Sequence, residues 1–448
     1  MASTVIYKDS IATGVYKFTF SAWVKRSKIG SNQTLLGMYN NNNYRGKIRF
    51  DHNTGDDLLY VWIKHPSAGE FNWYSNAKFR DTNGWYHIVV AIDTTQSTAS
   101  NRYKIYVNGE EISGTNSGID LTQNSTSMIF GHSKHSIGNS YYNGSWESQY
   151  FDGLMSHVHC CYGYAYQASD FGETDSTTGE WKIKTTPSVS YGSNGHFILK
   201  DGNSTTDQSG NSISLTTNGT LTKTEDNPSN VFATINPLYN HGATYANGNL
   251  KSTNAASKFG GVATLGVSTG KWYAEFKYGS SSSDYGGVGI FGDPQAASIG
   301  NQGVGKQSNS YSYRSDGQKG IENTFSSFGN SYTTNDIIGI ALDLDNNKLY
   351  FSKDGVWQNS GDPTSGSTGT GAIPISLTSD TGFWFMAANC NNSTATAIWE
   401  HNYGNGYFGT TAVSSNSGNG YSATGSLGIF QYQPPTGYTA LCTKGLNL

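Results

Sequence analysis

From Trp85 the chain reads "WYHIVVAIDTTQSTASNRYKIYVNGEEI", and its apolar positions alternate. Tyr86, Ile88, Val90 and Ile92 fall on one side of an extended strand, with Trp85, His87, Val89, Ala91 and Asp93 on the other. Tyr103, Ile105 and Val107 resume the first side after a polar loop, and Asn108-Gly109 supplies a tight turn. The same phrase returns from Asp336 as "DIIGIALDLDNNKLYFSKDGVW". There Ile338, Ile340, Leu342 and Leu344 share a face that Leu349 and Phe351 continue. Each stretch predicts a β-hairpin. Large apolar residues on both faces of the first place it inside a pair of sheets.

Further strands are predicted in "KFTFSAWVKR", "KIRFDH", "SMIFGH" and "YFDGLMSHVHCCYGYAY", then in "GKWYAEFKY", "YGGVGIFG" and "GFWFMAANC". Asn-, Gly- and Ser-rich loops separate them, the pattern of an antiparallel sandwich. "QASDFGETDSTTGEWKIK" lacks alternation and predicts a short helical turn near Asp170. Pro228 and Pro237 concentrate in "TEDNPSNVFATINPL", which sets a domain boundary near residue 225. The fold class is therefore all-β, with two tandem antiparallel sandwiches over 1–225 and 226–448. Residues 185–225 form a trailing strand and linker region.

Composition supports this reading. The 55 Gly and 30 Tyr favour turns and pleated surfaces over long helices. A net charge of −4 without a Lys/Arg run leaves no electrostatic footprint for nucleic acid. No apolar run is long enough to insert in a membrane, and "MASTVIYKDSIATGVYKFTF" lacks the pattern of a signal peptide. Cys160, Cys161, Cys390 and Cys442 have no framework spacing and are expected as free thiols.

"FTFSAWVKRS" at 18–27, the hairpin at 83–112 and "YFDGLMSHVHCCYGYAYQASDFGETDSTTGEWKIK" at 150–184 resemble a laminin-G-like, concanavalin A-like lectin sandwich. "STGKWYAEFKY" at 268–278, "GGVGIFG" at 286–292 and "NDIIGIALDLDNNKLYFSKDGVW" at 335–357 resemble a SPRY domain. The tandem, its joining phrase "DNPSNVFATINPL" and its tail "FQYQPPTGYTALCTKGLNL" are similar to structural and tail-fibre proteins of tailed, cyanophage-like bacteriophages. The resemblance implies a non-enzymatic virion protein, assembled in the host cytoplasm and released by lysis. It implies host-surface polysaccharide and other virion proteins as partners, and a homotrimer by analogy with phage fibres. The alternative is a capsid decoration or head-fibre protein whose sandwiches pack on virion neighbours.

Sugars stack on aromatic rings and bond to short polar side chains. Trp62, Trp73 and Tyr74 are candidates in "LYVWIKHPSAGEFNWYS", and Tyr141, Tyr142 and Trp146 in "GNSYYNGSWESQYFDG". The SPRY resemblance adds Tyr311, Tyr313 and Arg314 in "SYSYRSDGQKG", taken as a variable loop. No cofactor is required; laminin-G-like domains often hold calcium, for which Asp152, Asp56 and Asp57 are candidates. In "HVHCC", alternation puts His157, His159 and Cys161 on one face, an incomplete zinc set without His132 or His135. The apolar strands carry no closely spaced acidic pair of the glycosidase kind, and no Ser/His/Asp or Cys/His set stands out. The chain is expected to bind, not to catalyse.

Overall fold

The computed structural model describes residues 4–12, 14–53, 55–65, 68–126, 132–239, 242–254, 259–280, 285–293, 303–390, 396–413 and 422–447. They form two compact units, 1–223 and 224–448. Strands dominate both, and the helical segments among the described residues are short 3-10 turns. One of these is Ala168–Asp170, whose Asp170 carboxylate accepts the Gln167 backbone N–H at 2.8 Å. The strand expected in "SMIFGH" lies outside the described residues except for its last residue, His132.

Among the described residues, the first unit pairs an eight-stranded sheet with a six-stranded one. The six-stranded sheet centres on Lys17–Arg26, flanked by Gly153–Tyr162 and Tyr86–Asp93. The hairpin register sets Ile88 opposite Val107, Val90 opposite Ile105 and Ile92 opposite Tyr103. Alternation then decides what each face meets. Phe18, Phe20, Val24, Ile88, Val90 and Ile92 join the core against Leu36, Ile48, Phe50, Val61 and Phe71 of the eight-stranded sheet. Val89 and Cys161 face the other way, under Ala168 and Phe171. The middle sheet is thus covered on both faces, and this is why its hairpin is apolar on both. Within the trailing strand and linker region, two short strands join the sheets. His196–Ile198 adds an edge to one sheet and Thr216–Asn218 to the other.

The second unit repeats the arrangement. Ile337–Asp343 and Lys348–Lys353 lie in a nine-stranded sheet among the described residues, facing a six-stranded one. Ile338, Ile340, Leu342, Leu349 and Phe351 enter the core between the sheets. Ala341 and Tyr350 point outward beneath Phe430, Tyr438 and Ala440 of the C-terminal segment. That segment is latched by Glu275, which is fully buried. Its carboxylate accepts the backbone N–H groups of Gln431 and Tyr432 at 2.8 Å each, the Tyr273 hydroxyl at 3.1 Å and the Asn402 amide at 3.3 Å.

Strict alternation fails at one predicted position. His157 adopts φ 49° inside Gly153–Tyr162, and the pairing with Lys17–Arg26 slips between Ser156 and His159. This bulge takes His157 out of the face that His159 and Cys161 were expected to share with it.

Candidate functional site

The eight-stranded sheet has a second face, away from the core, and the sequence builds it from rings and charges. On Tyr44–Asp51, Ile48 and Phe50 turn inward while Arg45, Lys47, Arg49 and Asp51 turn out. On Leu58–His65, Leu59, Val61 and Ile63 turn inward, and Tyr60, Trp62 and Lys64 out. On Gly69–Lys78, Phe71 and Trp73 enter the core, and Glu70, Asn72 and Tyr74 face out. Register then forms rows across the sheet. Lys47 lies beside Trp62 and Trp62 beside Asn72, while Arg49 lies beside Tyr60 and Tyr60 beside Tyr74.

A hairpin closes one side of this face. Tyr141–Tyr142 pairs with Ser145–Trp146 across Asn143 (φ 45°) and Gly144 (φ 88°), the two left-handed residues of a type I′ turn. Gly37 lets the approach to this hairpin lean on the sheet. A Cβ there would meet Ser136 Oγ at 2.7 Å and the Asn139 carbonyl at 2.8 Å. The Trp146 ring sits 5.2 Å from Tyr7 and 5.1 Å from Tyr141, which is 5.4 Å from Tyr39.

Cations thread between these rings. The Arg45 guanidinium lies 4.0 Å from the Tyr142 ring and 5.0 Å from Trp62. Lys134 Nζ lies 4.5 Å from Tyr141 and 4.6 Å from Tyr7, and pairs with Asp9. Lys47 and Arg49 are each 7% exposed, paired with Glu147 and Asp51 respectively. Burial pulls the Lys47 ammonium below its ordinary pKa, and Glu147 offsets part of that. The Gln149 amide oxygen accepts from Arg49 at 2.9 Å and Lys47 at 3.4 Å. Trp62 donates to Glu70 at 3.1 Å, and Tyr60 to Asn72 at 2.6 Å while stacking on Tyr74 with ring centroids 4.3 Å apart. Half-buried rings held beside hydrogen-bonding groups suit a flat ligand with an apolar face and a polar rim.

The family described as Laminin_G_3, concanavalin A-like lectin/glucanases superfamily, matches residues 3–170, and the SPRY domain family matches residues 261–373. The chain carries a concanavalin A-like domain followed by a SPRY domain. Among solved structures, the SPRY domain of human HERC1 is 17% identical with a TM-score of 0.29, covering 37% of this chain and 96% of that one. A SAP-like pentraxin from Limulus polyphemus is 13% identical with a TM-score of 0.28, covering 37% and 71%. A putative carbohydrate binding protein from Bacteroides ovatus is 20% identical with a TM-score of 0.30, covering 50% and 60%. No curated protein matches.

The concanavalin A-like domain brings Trp62, Tyr74, Tyr141, Tyr142 and Trp146 onto its aromatic face, although Trp62 is only 9% exposed. Trp73 is corrected to the core, because its neighbours Asn72 and Tyr74 take the outward positions of that strand. It also lines a cleft of about 230 Å³ with Tyr103, Lys104 and Glu111. In the SPRY domain, "SYSYR" is the strand Ser310–Arg314 and not a loop. Tyr311 and Tyr313 are fully buried within it, so both are corrected from binding surface to core. Arg314 is half-buried between Tyr285 and Phe325, its ring partners at 4.8 and 4.2 Å, and grips Asp316 through Nε and Nη2.

The calcium candidates do not fit that ion. Asp57 is committed to Arg26 at 2.9 Å, the Gly30 N–H at 3.0 Å and His52 at 3.3 Å. Asp56 is committed to Lys78 at 2.6 Å and Arg80 at 3.4 Å. Asp152 is half-buried, and burial raises its pKa. Among the described residues no three His, Cys, Asp or Glu side chains gather as a ligand set. His159 is hydrogen-bonded to the Tyr191 hydroxyl at 2.9 Å, and Cys160 and Cys161 point to opposite faces.

One Ser–His contact was not foreseen from the sequence. Ser21 Oγ lies 2.9 Å from His87 Nε2, and both residues are fully buried. The Trp181 indole donates to His87 Nδ1 at 3.0 Å. Burial lowers the His87 pKa to about 3, so the ring is neutral, and with Nδ1 accepting, its proton sits on Nε2. The imidazole therefore donates toward Ser21, opposite to what a nucleophile's base must do.

Proposed function

We propose that this is a non-enzymatic bacteriophage virion protein that binds host-surface polysaccharide through the outer face of its concanavalin A-like domain. The observation that carries the binding reading is the grouping of Tyr74, Tyr141, Tyr142 and Trp146 with Arg45 and Asn72 on one sheet face, closed on one side by the 141–146 hairpin. Pyranose rings offer apolar C–H faces to such aromatics, and their hydroxyls suit the amides and carboxylates between them. Against hydrolysis stands the state of the acids. Two-carboxylate chemistry needs an acid and a base free to act, whereas Glu147, Asp51 and Glu70 are tied to Lys47, Arg49 and Lys64.

The place in a virion rests on the resemblance of the tandem, its joining phrase and its tail to phage structural proteins. Binding at one shallow face is strengthened by many copies on a particle, through effective concentration. Purified protein is expected to bind host cells and their extracted polysaccharide. Tyr142→Ala and Trp146→Ala are each expected to weaken binding about five- to tenfold, the scale of losing one aromatic contact. Full-strength binding by both variants would count against this face. Immunogold labelling of particles tests the placement: label on the tail supports attachment, and label on capsid faces supports the decoration role.

A further inference from the structure

We propose that the aromatic face takes a carboxylate-bearing glycan, with the acidic sugar pairing with Arg45. This deepens the polysaccharide-binding reading and rests on it. The other cations of the face already have carboxylate partners: Lys47 with Glu147, Arg49 with Asp51, Lys64 with Glu70 at 3.2 Å, and Lys134 with Asp9. Arg45 differs from all of them. Among the described residues it makes no ion pair, and its buried Nε, like that of Arg49, has no hydrogen-bond partner. Its cross-strand neighbours are Tyr39 and Lys64, neither of which brings a negative charge.

The guanidinium is nevertheless held in place. Tyr142 at 4.0 Å and Trp62 at 5.0 Å restrain it without neutralising it. A guanidinium presents its donors as a planar fork that matches the two oxygens of a carboxylate. A uronic or other carboxylated sugar would complete the charge balance that its neighbours complete internally. Its ring would rest on the half-buried aromatics of the same hairpin. A neutral sugar would leave the guanidinium facing nothing better than water.

The test is binding of the full chain to polygalacturonate and alginate, to the same polymers after carboxyl reduction, and to dextran sulfate. The acidic polysaccharides are expected to bind at least about tenfold more tightly than their reduced forms, as loss of one charge-assisted bidentate contact implies. Arg45→Gln should erase that preference, Arg45→Lys should keep part of it, and Lys348→Gln in the SPRY domain should leave it unchanged. Thermal unfolding of each variant establishes that it is folded. Equal binding of acidic and reduced polymers, a preference that survives Arg45→Gln, or dextran sulfate binding as tightly as the carboxylated polymers would each overturn the proposal alone. Binding to none of the polymers would overturn it together with the polysaccharide reading beneath it.

Discussion

Glu275 and Arg45 are charged side chains that the fold leaves in opposite conditions. Four donors converge on the Glu275 carboxylate, while Arg45 has rings around it and no acceptor among the described residues. The first is committed to structure and the second is open to a ligand. Glu275→Gln tests the first half. Each Glu275 oxygen accepts a backbone N–H, so the amide NH₂ must face one of them however it is turned. The expected cost is about 2–3 kcal/mol to the second unit, the penalty for a buried polar group facing no partner, read from denaturant unfolding. Unchanged stability would mean the C-terminal segment is held by its apolar contacts alone. At this scale the sequence was partly legible. Alternation along "GEFNWYSNAK" already separates Trp73 from Tyr74, because Phe71 and Trp73 must share a side. What a sequence does not carry is the list of partners. Alternation along "YRGKIRFD" already sets Asp51 beside Arg49 on one face, but that Arg45 meets only Tyr39 and Lys64 across the neighbouring strands is given by the register alone.

Among elements, the hairpins were the most legible, since Asn108-Gly109 and Asp354-Gly355 both fall where alternation stops and both adopt the paired positive φ of type I′ turns. Asn143-Gly144 carries the same signal between "YY" and "SW". It is easily passed over because strands of two residues show no periodicity. The "SYSYR" strand was obscured differently: Ser alternating with Tyr reads as a polar loop unless the tyrosines are taken as the buried phase. Gly144→Ala isolates the turn's contribution. A Cβ at Gly144 would meet nothing within 4 Å, so the effect is purely one of backbone conformation at φ 88°. A penalty of about 1 kcal/mol is expected. It should loosen the hairpin and weaken polysaccharide binding about fivefold, while the unfolding transition of the first unit moves little. Binding at full strength in this variant would show that the hairpin's conformation is not part of the site.

Across the molecule, the two units solve one packing problem in the same way, each covering its middle sheet on both faces, and this is why one sequence phrase appears twice. They differ in what they bury. Burial lowers the pKa of His87 to about 3 and of His157 and His196 to about 4, and it also pulls His159 well below its ordinary value, all in the first unit. The unfolded chain takes up protons at these sites from about pH 6.5, and the folded unit does not. Stability is therefore complete above pH 6.5 and falls as the pH drops toward 4. Among its described residues the second unit has one such histidine, His401, lowered to about 3, and Glu275, which burial raises from 4.5 to about 7. For Glu275 the folded state holds the proton more tightly, so its contribution declines as pH rises from about 4.5 to 7. Calorimetry between pH 7.5 and 4.5 should show the first unit's transition dropping much more steeply than the second's. Parallel shifts would contradict this account of the histidines.

The central claim is that the outer face of the eight-stranded sheet is the binding surface. Hydroxyl-radical footprinting of the full chain with and without host polysaccharide tests it most directly. Protection is predicted at Tyr74, Tyr141, Tyr142 and Trp146, with Phe383 and Tyr285 of the second unit unchanged. Protection confined to the second unit, or none on the sheet face in a sample shown to bind, would contradict it.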